Sequence, residues 1–191
     1  MGMLTGKHKD RSYLDDYQIN EEGQYEYQGT FYRWEEPEKR KGVQQGLWLR
    51  LTAAAVLMLA AGCIPAPGVN HAFYLLLPYA AGLGCCIWSA MALGRMCAED
   101  DPMREHVFQT SADRLPVTFL LACAAAVICV IAEAVHLIGF NTEGSILWGT
   151  VFIMLEAVAA WLLLTNRRKM SGLTWKKEER GCRNRSCGTP L

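Results

Sequence analysis

The chain has 191 residues and no net formal charge, and 51% of its residues are hydrophobic while 20% are charged. The charges are concentrated in residues 1–45, 95–115 and 166–191, and long apolar windows separate these blocks. This partition is typical of bilayer-spanning helices joined by polar loops, so it excludes a soluble globular core. We therefore predict an all-α integral membrane protein with four transmembrane helices in a bundle.

Residues 1–45 are predicted to form a polar, aromatic-rich cytoplasmic segment before the first span. This segment begins without an apolar signal region, so we expect the first span to act as an uncleaved signal. Between residues 24 and 34, aromatic and polar side chains alternate around Gly29, a pattern that permits a short hairpin. Because an isolated hairpin is only marginally stable in water, the pattern favours aromatic rings that lie at the lipid headgroups instead.

The transmembrane domain is predicted to cover residues 46–165. Its spans are expected at about 46–63, 72–93, 116–138 and 145–165. Pro78 lies inside the second span and removes a backbone hydrogen bond, so we predict a helix kink there. Arg50 lies one turn inside the first span, and we expect its long side chain to reach back to the interface as an anchor. The cysteines within the spans are interpreted as small hydrophobic residues.

Two polar segments accompany the later spans. In the 94–115 loop, the acidic run that ends at Pro102 predicts a short interfacial helix from Pro102 to about Thr110. Residues 166–191 form a predicted cytoplasmic tail with eight basic and two acidic residues. Such a tail attracts anionic lipid headgroups at about 1 kcal/mol per basic residue. Within the tail, Leu173 to Arg180 is expected to add one or two amphipathic helical turns. The further interfacial anchors are Arg167, Arg168 and Lys169.

The loops predict the orientation of the chain. The turns at 64–71 and 139–144 contain no Lys or Arg, whereas each longer polar block does. The positive-inside rule therefore places both termini and the 94–115 loop in the cytoplasm, in a multi-pass protein of the plasma (inner) membrane. Because neither outer turn is long enough for a domain, function is expected within the membrane or on its cytoplasmic side.

Three ionisable residues, Glu133, His136 and Glu156, lie within the third and fourth spans, and we name them the polar seam. Each charged group in hydrocarbon costs about 2.5–3.5 kcal/mol, so such residues are candidates for function. Glu133 and His136 are three residues apart and share one helix face. Counted from the turn, Glu156 lies about six residues deeper than Glu133, or roughly 9 Å, so we expect no direct contact between them.

The polar seam supports two main hypotheses. In the first, a second copy of the chain or another membrane protein supplies counter-groups, and the protein is a non-enzymatic accessory or interaction subunit. In the second, the seam belongs to an oligomeric proton- or ion-coupled transport element, because a buried carboxyl and a histidine can exchange protons near neutral pH. We predict the first and keep the second as the alternative.

A third hypothesis is a membrane-embedded metal enzyme. Four-helix di-metal sites use two Glu-x-x-His motifs and two more carboxylates, so one chain would supply half of the ligands from Glu133, His136 and Glu156. This set is not specific, and we predict neither a resident metal nor a cofactor. No catalytic residues are assigned, since the chain has no exposed Ser/His/Asp set, phosphate-binding loop or paired cysteine motif. The expected partners are the bilayer and a membrane protein or second copy, and not nucleic acid.

Overall fold

The structure, a computed structural model, describes residues 17–19, 25–27, 29–66, 73–99, 101–140 and 146–179. This part of the chain is mostly helical. It contains five α-helices: α1 (Arg40–Gly62), α2 (Phe73–Ala98), the short α3 (Glu105–Thr110), α4 (Leu115–Phe140) and α5 (Ile146–Ser171). Within the described residues, four helical stretches are long and apolar enough to cross a membrane, the number predicted from the sequence.

The helices extend beyond the predicted spans. Helix α1 begins at Arg40 rather than at residue 46, and α5 ends at Ser171 rather than at residue 165. An apolar window marks the part of a helix that suits hydrocarbon, whereas backbone hydrogen bonding continues through polar residues that favour helix. The basic residues Arg168 and Lys169 lie in the last turn of α5, where positive charge stabilises the carboxyl end of a helix.

Two small antiparallel sheets accompany the helices, which an all-α fold did not predict. The first pairs β1 (Tyr17–Ile19) with β2 (Tyr25–Tyr27). In the second, β3 (Thr30–Trp34) lies between β4 (Met103–Arg104) and β5 (Trp175–Glu179). The residues on either side of Gly29 therefore pair with different strands and do not form one hairpin with each other.

Three expectations for the polar segments are corrected by this second sheet. Phe31 and Trp34 are buried against protein and do not lie at the lipid headgroups. The segment predicted as helical turns after Leu173 is strand β5, which pairs with β3 along its whole length. The short helix begins at Glu105 rather than at Pro102, because the preceding residues form β4. In each case a strand distant in sequence supplies the hydrogen bonds.

Aromatic side chains cover the second sheet. The Tyr32 and Phe108 rings stack at a centroid distance of 4.1 Å, and Trp175 meets Phe108 edge-on at 5.1 Å. Trp34 and Trp175 also pack edge to face at 4.9 Å. Such pairs contribute about 0.5–1.5 kcal/mol beyond the area they bury. The aromatic contacts therefore join the segment before α1, helix α3 and the segment after α5.

The second sheet shows at which end of the helices the polar segments lie. Strand β3 precedes α1, β4 lies between α2 and α4, and β5 follows α5, so their pairing brings all three segments to one end of the helices. We name it the sheet end. The opposite end, where α1 and α4 finish and α2 and α5 begin, is named the turn end.

The core lies between the four long helices. Helix α1 packs on α5 and α2, and α4 packs on α2 and α5. The largest buried cluster draws on all four helices and includes Leu47, Leu51, Met58, Leu93, Phe119 and Leu163. Many large apolar side chains point outward, among them Leu49, Phe73, Ile138, Met154 and Trp161. An apolar exterior on helices of this length suits contact with lipid.

Candidate functional site

The two carboxyl groups of the polar seam lie inside the protein. Glu133 on α4 and Glu156 on α5 are both 0% exposed. Each is turned toward neighbouring helices of the same chain rather than toward the apolar exterior. This orientation follows from the high cost of placing a carboxylate against lipid. The two carboxyl groups of the seam therefore lie in the interior of one chain.

Glu133 lies against the backbone of α5 at Gly149. A β-carbon added at Gly149 would lie 3.0 Å from Glu133 Oε1 and 2.8 Å from both terminal methyl carbons of Leu137. Only a residue without a side chain leaves room for this approach. Gly149 thus positions Glu133 at the contact between α4 and α5.

His136 contacts a different helix. The Tyr74 hydroxyl of α2 and Nδ1 of His136 form a hydrogen bond of 2.9 Å near the turn end. His136 is partly exposed, whereas Glu133 one turn away is buried. Glu133 and His136 lie on one face of α4, but Glu133 packs against α5 whereas His136 contacts α2. His136 is the member of the polar seam nearest to the turn end.

Glu156 lies deeper in the core. Gly149 and Glu156 are seven residues apart on α5, or about 10 Å along the axis, so Glu156 is nearer the sheet end than Glu133. It interacts electrostatically with Tyr79 and Cys86 of α2 and with Cys129 of α4. Within the described residues, neither carboxylate oxygen of Glu156 has a hydrogen-bond partner. Burying a charged carboxylate without hydrogen bonds costs free energy, unless a proton or a cation neutralises its charge.

Two buried cysteines, Cys86 and Cys129, interact electrostatically with Glu156. The Cys86 thiol donates to the Met58 sulfur, with the two sulfurs 3.8 Å apart. Cys129 is also buried, and Met58, Cys86 and Cys129 belong to three different helices. Tyr79 joins α2 to α1 by donating a hydrogen bond of 2.9 Å from its hydroxyl to the Met58 carbonyl oxygen.

A second buried polar contact joins α1 and α5 nearer the sheet end. Arg50 Nε donates to Asn166 Oδ1 at 2.7 Å, and Asn166 Nδ2 donates to the Leu47 carbonyl oxygen at 3.1 Å. The Arg50 guanidinium folds toward Gly46, where its Nη2 would lie 3.2 Å from an added β-carbon. The side chain thus points toward the sheet end, the direction expected of an interfacial anchor, but Asn166 holds it within the protein.

The remaining predicted positions lie as follows. Arg167 is partly buried, and Arg168 and Lys169 are exposed near the sheet end. Pro78 lies inside α2, which continues as one helix on both sides of it, and the kink stays a prediction. Among the described residues, no three His, Cys, Asp or Glu side chains lie close enough together to hold a metal ion. One chain therefore does not bring Glu133, His136 and Glu156 together as metal ligands.

Polar contacts recur from one end of the helices to the other. From the turn end they are Tyr74 with His136, Glu133 at Gly149, Glu156 near Tyr79, Ser89 with Thr118, and Arg50 with Asn166. We name this set the polar series. Sequence patterns indicated its acidic and basic members, whereas Tyr74, Tyr79, Ser89, Thr118 and Asn166 were missed. Their signal is the presence of hydrogen-bonding side chains within apolar spans.

No protein-family model, curated protein or solved structure matches the chain.

Proposed function

We propose that the protein is a small proton- or cation-coupled transport element of the plasma (inner) membrane. The observation that carries this proposal is the complete burial of two carboxyl groups, Glu133 and Glu156, at different depths in the core of one chain. Intramembrane carboxyl groups that face a protein interior characterise proton relays and ion pathways.

The burial of the carboxyl groups also bears on the accessory-subunit hypothesis. A carboxyl that meets a counter-group on another protein must reach the outer surface of its own helices. Glu133 and Glu156 are both 0% exposed, so neither is available to a partner packed on the exterior. Their burial favours a role inside the chain over a role in association.

The polar series supplies a direction for the pathway. His136 and Tyr74 form the entry near the turn end, since His136 is partly exposed and an imidazole can carry a proton between two partners. Glu133 and then Glu156 follow toward the sheet end. Groups that are not in hydrogen-bond contact exchange protons through water or by movement of side chains. The pathway therefore steps through ionisable groups that lie on α4 and α5.

The proposed orientation places the sheet end in the cytoplasm. The basic residues near that end favour the cytoplasmic side by the positive-inside rule. There, Arg167, Arg168 and Lys169 contact anionic lipid headgroups and anchor α5, each contributing about 1 kcal/mol near the surface. Both termini then lie in the cytoplasm together with the 94–115 loop.

A second candidate function is that of an interaction subunit, either with another membrane protein or with a second copy. It is favoured by the outer face of α2, where Ala80 and Gly84 are exposed. No heavy atom among the described residues lies within 4 Å of a β-carbon added at Gly84. Small residues four apart let another helix approach closely. Oligomeric transport would use the same face.

Proton flux into liposomes tests the transport proposal. Purified protein is reconstituted, a pH gradient is imposed, and a dye inside the vesicles reports proton entry. We expect flux above that of protein-free liposomes, and a loss of at least about tenfold, or 1.4 kcal/mol, in both Glu133→Gln and Glu156→Gln. Glu105→Gln, outside the four long helices, is the matched control. Wild-type flux equal to that of empty liposomes, with or without a sodium or potassium gradient, would overturn the proposal.

A further inference from the structure

A second buried cluster, separate from the largest one, lies toward the turn end of the helices. Its members are Ala61, Ala66, Leu75, Cys129 and Phe152, and each of them is 0% exposed. They come from α1 and the residues after it, from α2, from α4 and from α5. A buried thiol behaves as a small hydrophobic group, so the whole cluster is apolar. We name it the apolar barrier.

The apolar barrier lies at a depth between the two carboxyl groups of the polar seam. On α5, Phe152 comes three residues after Gly149 and four residues before Glu156. Glu133 packs against Gly149. On α4, Cys129 lies four residues closer to the sheet end than Glu133, or about 6 Å along the axis, and it interacts electrostatically with Glu156. On both helices, a member of the barrier therefore stands between Glu133 and Glu156.

We propose that the apolar barrier, with Leu75 and Phe152 as its largest members, is the gate that controls proton passage between Glu133 and Glu156. This assignment rests on the proposed transport function, and it adds the residues that regulate passage. Apolar constrictions stop conduction because they exclude water. Groups that are not in contact exchange protons only through water or by movement of side chains. A closed barrier therefore makes each proton wait for a movement of the protein, which distinguishes a transport element from an open pore.

Leu75 is the member of the barrier that is placed to move. It lies before Pro78 in α2, and a proline has no N–H group, so the Tyr74 carbonyl oxygen four residues earlier receives no helical hydrogen bond from it. After the proline, Tyr79 is held on α1 by its hydrogen bond of 2.9 Å to the Met58 carbonyl oxygen. The turn-end part of α2 can therefore tilt at Pro78 while the rest of the helix stays packed.

The contact between Tyr74 and His136 holds the turn-end part of α2 in the closed position. Tyr74 directly precedes Leu75, and its hydroxyl lies 2.9 Å from Nδ1 of His136. Phe73 is 82% exposed and Tyr74 is 54% exposed, so little protein covers this part of α2 from outside. A movement that breaks the contact would carry Leu75 out of the barrier and admit water toward Glu156.

Modification of Cys129 reports whether the apolar barrier excludes water. The reconstituted full-length protein carries Cys123→Ser, so that Cys129 is the sole cysteine of α4. It is treated with a charged methanethiosulfonate reagent, and mass spectrometry measures the labelled fraction. We expect slow labelling in this parent protein, and labelling at least about tenfold faster when Leu75→Ala is added, because the smaller side chain admits water.

A matched control separates the gate from a general loosening of the core. Leu163 is also 0% exposed, but it belongs to the largest buried cluster rather than to the apolar barrier. Leu163→Ala should therefore label at Cys129 as slowly as the parent protein. Leu75→Val removes less volume than Leu75→Ala and should give an intermediate rate, so the gate is testable even where Leu75→Ala does not fold.

Proton flux into liposomes tests the same gate in transport. Leu75→Ala should raise the flux at least about threefold over the wild type, because water then connects the two carboxyl groups. Pro78→Ala restores the helical hydrogen bond of the Tyr74 carbonyl oxygen and should lower the flux at least about threefold. Flux in Pro78→Ala that equals or exceeds that of the wild type would overturn the movement assigned to α2.

The outcomes separate the gate from the transport function. The gate is overturned if Cys129 labels equally fast in the parent protein, Leu75→Val and Leu75→Ala, or if Leu163→Ala accelerates labelling as much as Leu75→Ala. Wild-type flux above that of empty liposomes, together with either labelling result, would retain the transport proposal alone. Labelling that depends on Leu75, without flux in any variant, would retain the apolar barrier and remove the transport proposal.

Discussion

At the scale of single residues, the interior depends on close approaches that only glycine permits. Gly149 lets Glu133 lie against the backbone of α5, and Gly82 lets Met58 lie against α2. Gly84 differs, because the described residues leave open space around it. Glycines in the same kind of helix therefore have different roles, and substitution distinguishes between them.

Gly149→Ala is expected to destabilise the protein by about 1–3 kcal/mol, the usual cost of overpacking a filled core. The new methyl would force Leu137 and the Glu133 carboxyl away from α5. Unfolding in mixed detergent, followed by circular dichroism, measures the change. Gly84→Ala serves as control and should leave stability unchanged or raise it slightly, since alanine favours helix. Equal stability of Gly149→Ala and the control would contradict the contact.

Asn166→Leu should destabilise the protein by about 1–3 kcal/mol, because it leaves the half-buried Arg50 guanidinium and the buried Leu47 carbonyl group without their hydrogen bonds to Asn166. If the loss of stability arises from the contact with Arg50, Asn166→Leu should cost much less in a protein that already carries Arg50→Leu. A double-mutant cycle on unfolding free energy measures that coupling, expected at about 0.5–2 kcal/mol. Strictly additive effects of the two substitutions would show that the side chains do not interact.

At the scale of elements, the strands at the sheet end join distant parts of the chain. Glu35 follows β3 and pairs with Lys176 of β5 at 3.5 Å, while Arg33 pairs with Glu178 at 3.0 Å. All four side chains are well exposed, so each pair contributes little by itself. The buried aromatic rings and the strand hydrogen bonds hold the sheet, and the ion pairs add a dependence on pH and salt.

The pH dependence of the sheet follows from Glu35. A hydrogen bond with the Thr174 side chain, and then the charge of Lys176, lower the pKa of Glu35. Because the folded pKa lies below the unfolded one, the contribution is complete above the unfolded value and is lost as pH falls through the folded value. We expect loosening below about pH 4, visible in tryptophan fluorescence, and a smaller pH response in Glu35→Gln. An unchanged response in that variant, relative to Glu36→Gln, would contradict the assignment.

The helices were predictable from sequence and the second sheet was not. Each long helix has an apolar window that signals a span locally, so its presence can be inferred without knowledge of its neighbours. Strand β5 has no such local signal, and its partner β3 lies at the other end of the chain. The marginal stability of a lone hairpin did not apply to β3, because β4 and β5 both pair with it and the Trp175 ring packs on Trp34.

At the scale of the whole molecule, the sequence pattern of the spans reveals which ionisable residues enter the membrane, but not which neighbours they contact. The cost of burying a charge marked Glu133, His136 and Glu156 as candidates for function without any structure. The direction in which each side chain points depends on how the helices are rotated against one another, which the periodicity of a uniformly apolar helix does not encode. The contacts of Tyr79 and Cys86 near Glu156 therefore became visible only once the helices were packed.

The proposed transport function requires that Glu133 and Glu156 exchange protons with bulk water while they are buried in the core. Infrared difference spectroscopy of the reconstituted protein, recorded as the bulk pH is stepped, observes the carbonyl band of protonated carboxyl groups directly. We predict a band that follows bulk pH and is diminished in both Glu133→Gln and Glu156→Gln, but not in Glu105→Gln. A band that is identical in the wild type and both variants, or that does not respond to bulk pH, would contradict the account.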